Sequence, residues 1–172
     1  MKRKKIGELS DEIIRGIYRN DLESLQQWRS HDIIDSLDKD GRSAVFHAVL
    51  IGSVDIIKDL FEADPNLNLK DNKGWTPLHY AAQNYLINIA ELLIDNGADI
   101  EIKDDYGNTP LWRATFSSQG KGEMIKLLLH RGANPNTAND SGVSPYELAN
   151  TIANYDVKQF FPHPLSVSSQ KI

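Results

Sequence analysis

Asp71-Asn72-Lys73-Gly74-Trp75-Thr76-Pro77-Leu78-His79-Tyr80-Ala81-Ala82 decides the fold, because its spelling returns at a fixed interval. Gly41, Gly74 and Gly107 each close a four-residue run opened by an Asp, and they stand 33 residues apart. Asn139-Asp140-Ser141-Gly142 opens a further copy, displaced to 35 by two inserted residues. A period near 33 with a turn and two helices is the signature of a stacked helical array. Such arrays bind through an extended surface and rarely carry chemistry.

Each part of the middle copy has a physical reading. Asp71-Asn72-Lys73-Gly74 is a turn, since Asp and Asn bond their own backbone and Gly accepts positive φ. Thr76 then caps a helix whose first position is Pro77, where the missing N–H costs nothing. Leu78, Ala81 and Ala82 follow at helical spacing, and Ile89 to Ile94 form a second helix closed by Asn96-Gly97. No single helix pair can bury its apolar face, so stability must come from contact between units. Ala48, Ala81, Ala114 and Ala149 share one position, where a small side chain admits a close neighbour.

These residues resemble the ankyrin repeat over about residues 8 to 161, with two full-strength copies and three degraded ones. The third copy matches through Thr109-Pro110-Leu111, Ala114, Leu127-Leu128-Leu129 and Gly132-Ala133, with Trp112 in the usual His position. The first is weaker: Ser43-Ala44-Val45-Phe46 stands for Thr-Pro-Leu-His. The resemblance implies an all-α solenoid of stacked helix pairs with short β-hairpin fingers. Residues 8–37 are expected to cap the N-terminal end, 38–70, 71–103 and 104–138 to be the repeats, and 139–161 to cap the other end. Residues 1–7 are expected to be disordered and 162–172 to form a flexible tail. Tyr85 replaces the Gly of the inter-helix turn, which means either a distorted turn or held strain.

Composition excludes several classes of function. A net charge of −5 argues against a nucleic-acid footprint. The chain has no cysteine, which removes disulfides, zinc–thiolate sites and thiol nucleophiles and fits a reducing cytoplasm. Met1-Lys2-Arg3-Lys4-Lys5 could open an export signal or serve as a nuclear address, but Glu8, Asp11 and Glu12 interrupt the apolar run that export requires. No stretch is long and apolar enough for a membrane span.

Chemistry is equally hard to assemble. His31, His47, His79, His130 and His163 fall in separate units without metal-ligand spacing. The resemblance implies that His79 braces its turn by hydrogen bonding. Gln119-Gly120-Lys121-Gly122 lacks the phosphate-loop pattern and reads as a loosened insertion. Asp99, Glu101, Asp104 and Asp105 read as a solvated acidic patch rather than a calcium loop. The expectation is therefore a protein that is not an enzyme, with no catalytic residue, no cofactor and no metal.

The resemblance implies that contacts come from finger tips and first helices. Carried across residue by residue, the tips are Lys39, Asp40 and Arg42; Asn72, Lys73 and Trp75; Asp105, Tyr106 and Asn108; then Asp140, Ser141 and Val143. The helix positions are Leu50, Ile51, Gln83, Asn84, Phe116 and Ser117. Trp75 and Tyr106 are the expected anchors, since aromatic residues dominate interface energetics, although Trp75 could instead pack on the next finger. Trp28, Phe46 and Trp112 are expected to point into the stack. The partner is expected to be another protein, bound by a monomeric, cytoplasmic chain without nucleic acid or membrane. Two roles remain open. One is sequestration or inhibition, in its specific form an immunity protein neutralising a basic bacterial toxin or effector. The other is an adaptor or regulator of an endogenous signalling or stress-response complex.

Overall fold

Hydroxyl caps set where the inner helices begin. Ser43, Thr76, Thr109 and Ser144 each hold extended backbone and accept the N–H three residues on, satisfying a donor that the first helical turn leaves open. Pro77, Pro110 and Pro145 occupy the first helical position behind three of these caps. The structure is a computed structural model and describes residues 7–26 and 34–162. Trp28, His31, His163, the start before Gly7 and the tail after Pro162 lie outside the described residues.

Helix pairs follow one another along the chain. They are α1 (Asp11–Tyr18) with α2 (Leu22–Gln26), α3 (Ala44–Ile51) with α4 (Val54–Phe61), α5 (Pro77–Gln83) with α6 (Ile87–Asp95), and α7 (Pro110–Phe116) with α8 (Glu123–His130). A last helix, α9 (Pro145–Thr151), is partnered by a single 3-10 turn, Val157–Phe160. The inner helices stack in chain order, α1 on α3, α3 on α5, α5 on α7 and α7 on α9. Outside them α2 lies against α4 and α6 against α8. This is an all-α repeat solenoid. Ala48, Ala81, Ala114 and Ala149 are all buried along the inner seam, and Leu78, Leu93, Leu111, Ile125 and Leu128 fill the space between the layers.

The fingers close as hydrogen-bonded turns. In each, the leading N–H bonds a carbonyl four residues on: Asp38 to Arg42 at 3.0 Å, Asp71 to Trp75 at 2.8 Å, Asp104 to Asn108 at 2.9 Å and Asn139 to Val143 at 3.1 Å. No strand ladder forms in them; the isolated bridge found among the described residues joins Glu8 and Leu37. Successive fingers are tied by one backbone bond each, from Asn72 to Asp40, Asp105 to Lys73 and Asp140 to Tyr106, at 2.9, 3.3 and 3.1 Å. That approach requires glycine. A Cβ on Gly74 would lie 2.5 Å from the Asp105 nitrogen, and one on Gly107 would lie 2.7 Å from that of Asp140.

Tyr85 keeps the left-handed turn, with φ +56°, despite carrying a side chain. Its hydroxyl lies 3.0 Å from the Ala114 carbonyl and 2.9 Å from that of Lys121. Burial pushes the phenol well above its usual pKa, so it stays an O–H donor to these carbonyls. The side chain thus reaches across to the loop between α7 and α8, where the two extra residues sit. Held strain, compensated by this contact, is the outcome at the turn. Tyr155 lies over Gly120 of the same loop and the Phe160 ring over Gly122.

Ala81 has no solvent exposure and sits between α3 and α7. Ala81→Leu should overpack this seam and cost about 1–3 kcal/mol. A urea midpoint equal to that of the parent would remove the close-packing assignment.

Candidate functional site

Four carboxylate or amide side chains fix the fingers that frame the surface. Oδ1 of Asp38, Asp71, Asp104 and Asn139 accepts the N–H groups two and four residues on, all at 2.8–3.0 Å. The second carboxylate oxygen of Asp38 and Asp104 reaches an inner helix. Asp38 meets His47 Nε2 at 2.9 Å, and Asp104 accepts from Arg113 Nε at 2.8 Å and from a second guanidinium nitrogen. Burial pushes the Asp104 carboxyl up, but the Arg113 guanidinium and the Asn108 and Tyr106 N–H groups prevail and hold it below the ordinary value. The middle finger has Tyr80 at that helix position, and Arg42 of the preceding finger approaches Asp71 at 3.9 Å instead.

Between the third and fourth fingers lies a groove of about 670 Å³, walled by α7 and α9. Tyr106 is 67% exposed on one side and Phe116 is 61% exposed on the other. Trp112 stacks on Phe116, with centroids 5.4 Å apart and 13° between planes. Val143 and Leu148 complete the apolar lining. Asp105, Asp140 and Arg113 supply its charges.

The expected contact residues divide into several groups. Lys39, Asp40, Asn72 and Lys73 are exposed at the first two tips and do not line the groove. Arg42 is half-buried, 3.8 Å from Asp40 and with its guanidinium 5.6 Å from the Phe46 ring centre. Leu50, Ile51 and Gln83 are half-buried, Ile51 against the core, while Asn84 is exposed at the end of α5. Asp105, Tyr106 and Phe116 converge on the groove, as do Asp140, Ser141 and Val143.

Three expectations are corrected by these positions. Asn108 lines the groove but is only 4% exposed and not a free tip: its N–H and side-chain amide serve Asp104 and its carbonyl lies 3.0 Å from His79 Nε2, so it braces two units. Trp112 is half-buried on the groove, not inside the stack, because α7 turns it toward Phe116 one helical turn later. Its i, i+4 spacing to Phe116 was the available signal. Asp104 leaves the solvated acidic patch for the buried pair with Arg113, and Glu101 accepts from the Asn134 N–H and the Thr137 hydroxyl. Phe46 is buried as expected. Trp75 is half-buried, with Arg113 of the next unit 4.5 Å over its ring. Arg113, Leu148 and Thr151 were not among the expected lining residues, since their place depends on neighbours in other units.

His79 closes a capping box with Thr76. The Thr76 N–H lies 3.1 Å from Nδ1, so Nδ1 is the acceptor and Nε2–H donates to the Asn108 carbonyl. Burial lowers its pKa to about 4, keeping it neutral. Burial also lowers the pKa of His47, against the opposing pull of Asp38.

This arrangement of capped helix pairs and tied fingers matches a known family. The family model for ankyrin repeats (3 copies) covers residues 13–104 and 48–139. The chain belongs to the ankyrin repeat family. Ankyrin repeats bind other proteins and generally serve as non-catalytic modules. Rat ankyrin repeat and SAM domain-containing protein 6 is 33% identical over 109 residues, 62% of this chain and 12% of that protein. A putative ankyrin repeat protein of Acanthamoeba polyphaga mimivirus is 35% identical over 144 residues, 81% of this chain and 17% of that one. Mouse protein phosphatase 1 regulatory subunit 27 is 33% identical over 96 residues, 55% of this chain and 62% of that protein. The chain thus spans well under a fifth of the first two relatives. No helix among the described residues is long and apolar enough to cross a membrane, and no three His, Asp or Glu side chains there converge on a metal position.

The ankyrin histidine gives the fold a pH limit. Unfolded, His79 binds a proton below about 6.5; folded, it does so only near 4, so stability falls as pH drops from 6.5 toward 4. His47 acts in the same direction. Asp38 and Asp104, held below their ordinary value, add their losses only at lower pH. Urea midpoints should decline between pH 6.5 and 4.5, and His79→Gln should flatten that decline. An equal slope in the variant would contradict the assignment. Separately, Trp75→Ala should cost about 1–3 kcal/mol of stability through lost packing under Arg113; an unchanged urea midpoint would return Trp75 to the list of free surface anchors.

Proposed function

We propose that this ankyrin chain captures a partner protein across the groove between its third and fourth fingers, sequestering or inhibiting that partner. The observation that carries the reading is the aromatic wall formed by Tyr106, Trp112 and Phe116. Two large apolar side chains more than half exposed, backed by a stacked indole, face one concavity. Leaving that surface in water is unfavourable, and a partner's apolar side chain would relieve it. Aromatic anchors at the centre of a contact area dominate binding energy.

The second reading, an adaptor or regulator of an endogenous complex, is favoured by a different observation. Among the relatives is one whose name makes it a regulatory subunit of protein phosphatase 1. The specific role of an immunity protein against a toxin is supported only by the acidic character of the chain and of Asp105 and Asp140, which suit a basic partner. Sequestration and adaptor roles differ in what the partner does once bound, not in how it docks.

Affinity purification from the native organism, with the parent chain and with Tyr106→Ala/Phe116→Ala as baits, tests both. The double variant should remain folded and bind the recovered partner about 30-fold or more weakly, the equivalent of about 2 kcal/mol. Undiminished affinity would place the interface on another surface. A toxin-like partner encoded beside the gene would favour neutralisation, and a housekeeping complex would favour the adaptor.

A further inference from the structure

The groove carries three formal charges, and they are not equivalent. Arg113 is committed. Its guanidinium is bonded to the buried Asp104 carboxylate, lies 4.5 Å over Trp75 and 5.8 Å from the Trp112 ring centre, and so presents little field to a newcomer. Asp105 and Asp140 are exposed at the tips of the third and fourth fingers, with no ion-pair partner among the described residues. Each is seated over the preceding finger's glycine, Gly74 or Gly107, which fixes its position. The groove therefore combines an apolar wall with the exposed Asp140 carboxylate, seated over Gly107 between the third and fourth fingers, while the Asp105 carboxylate lies over Gly74 on the second-finger side of the same rim.

From this juxtaposition we infer that the groove selects a partner segment in which an aromatic or long aliphatic side chain is followed closely by Lys or Arg. The apolar side chain lies against Tyr106, Trp112 and Phe116, and the cation reaches Asp140, with Asp105 adding negative field from the neighbouring tip. An acidic or wholly neutral segment would leave these carboxylates facing like charge or losing water without return. This specificity rests on the docking reading above and sharpens it. The pairing also makes recognition salt-sensitive, because the two carboxylates are exposed.

A phage-displayed library of random dodecapeptides, panned on the 172-residue chain, serves as the probe. An enriched peptide is then measured by fluorescence anisotropy against the parent, Asp105→Asn/Asp140→Asn and Tyr106→Ala/Phe116→Ala. The amide variants keep shape: Asn72 already occupies the matching position over Gly41 in the second finger. Circular dichroism confirms folding, and Asp140→Asn alone serves if the double variant is unstable. Enrichment of apolar residues beside Lys or Arg is expected. The amide double variant should bind such a peptide at least about fivefold more weakly, the single variant about twofold, and added salt should weaken the parent but scarcely the amide variant. Enrichment of acidic or neutral peptides that still need Tyr106 and Phe116 would overturn the cation preference and leave the docking reading standing. So would cationic peptides indifferent to the amide changes. If no enriched peptide depends on Tyr106 and Phe116, both the preference and the groove fail.

Discussion

One oxygen per finger governs this structure: Oδ1 of Asp38, Asp71, Asp104 or Asn139, each accepting two backbone N–H groups. Without that acceptor the turn would bring polar backbone to a crowded joint with no partner, at a cost of about 1–3 kcal/mol per buried group. With it, the tip holds the geometry that lets the next finger's N–H reach a carbonyl of the one before. The cap of the following helix stands a few residues on, so finger and inner helix are oriented together. Stacking of the small-residue seam depends on this alignment. The exposed aromatic wall then depends on the seam, because Tyr106 comes from a finger and Phe116 from a helix end.

The same acidic position also takes part in sorting side chains between structure and surface. Asp104 draws Arg113 inward, and Arg113 in turn covers Trp75. In the first finger His47 answers Asp38, and in the second Arg42 of the preceding finger approaches Asp71. Three units meet one electrostatic requirement from three different places, with His47 or Arg113 on the unit's own helix and Arg42 from the preceding finger. Each solution changes which neighbouring aromatic ring remains free. Tyr106 stays uncovered while Arg113, on α7, is drawn back to Asp104 and over Trp75.

Much of the architecture was legible in the chain itself. The Asp-to-Gly interval, the Thr-Pro and Ser-Pro starts and the repeated alanine all act within or immediately between units, so spacing reports them. Phe46 was readable for the same reason. Asn108 was not, since its burial is decided by His79 of the previous unit; Trp112 carried a local i, i+4 signal to Phe116, and packing of Trp75 was one of two open readings. Trp112 stood at a position usually given to a buried His, and only its stacking on Phe116 moves it to the open side. Asn108 reads as a variable tip residue until His79 of the previous unit is seen to claim its carbonyl. Of the groove, the finger residues were foreseen, whereas Leu148 and Thr151 on α9 depend on how the last helix sits.

The Tyr85 hydroxyl makes neighbouring modules unequal. A protein assembled from identical parts would tolerate shuffling, with any copy exchanged for another. Here the second copy supplies the clasp for a longer loop that belongs to the third, through the carbonyls of Ala114 and Lys121. Deleting or transposing either copy alone would leave a ring with nothing to grip, or a lengthened loop with nothing to grip it. The second and third copies are coupled at that joint, and exchanging one without the other breaks the contact.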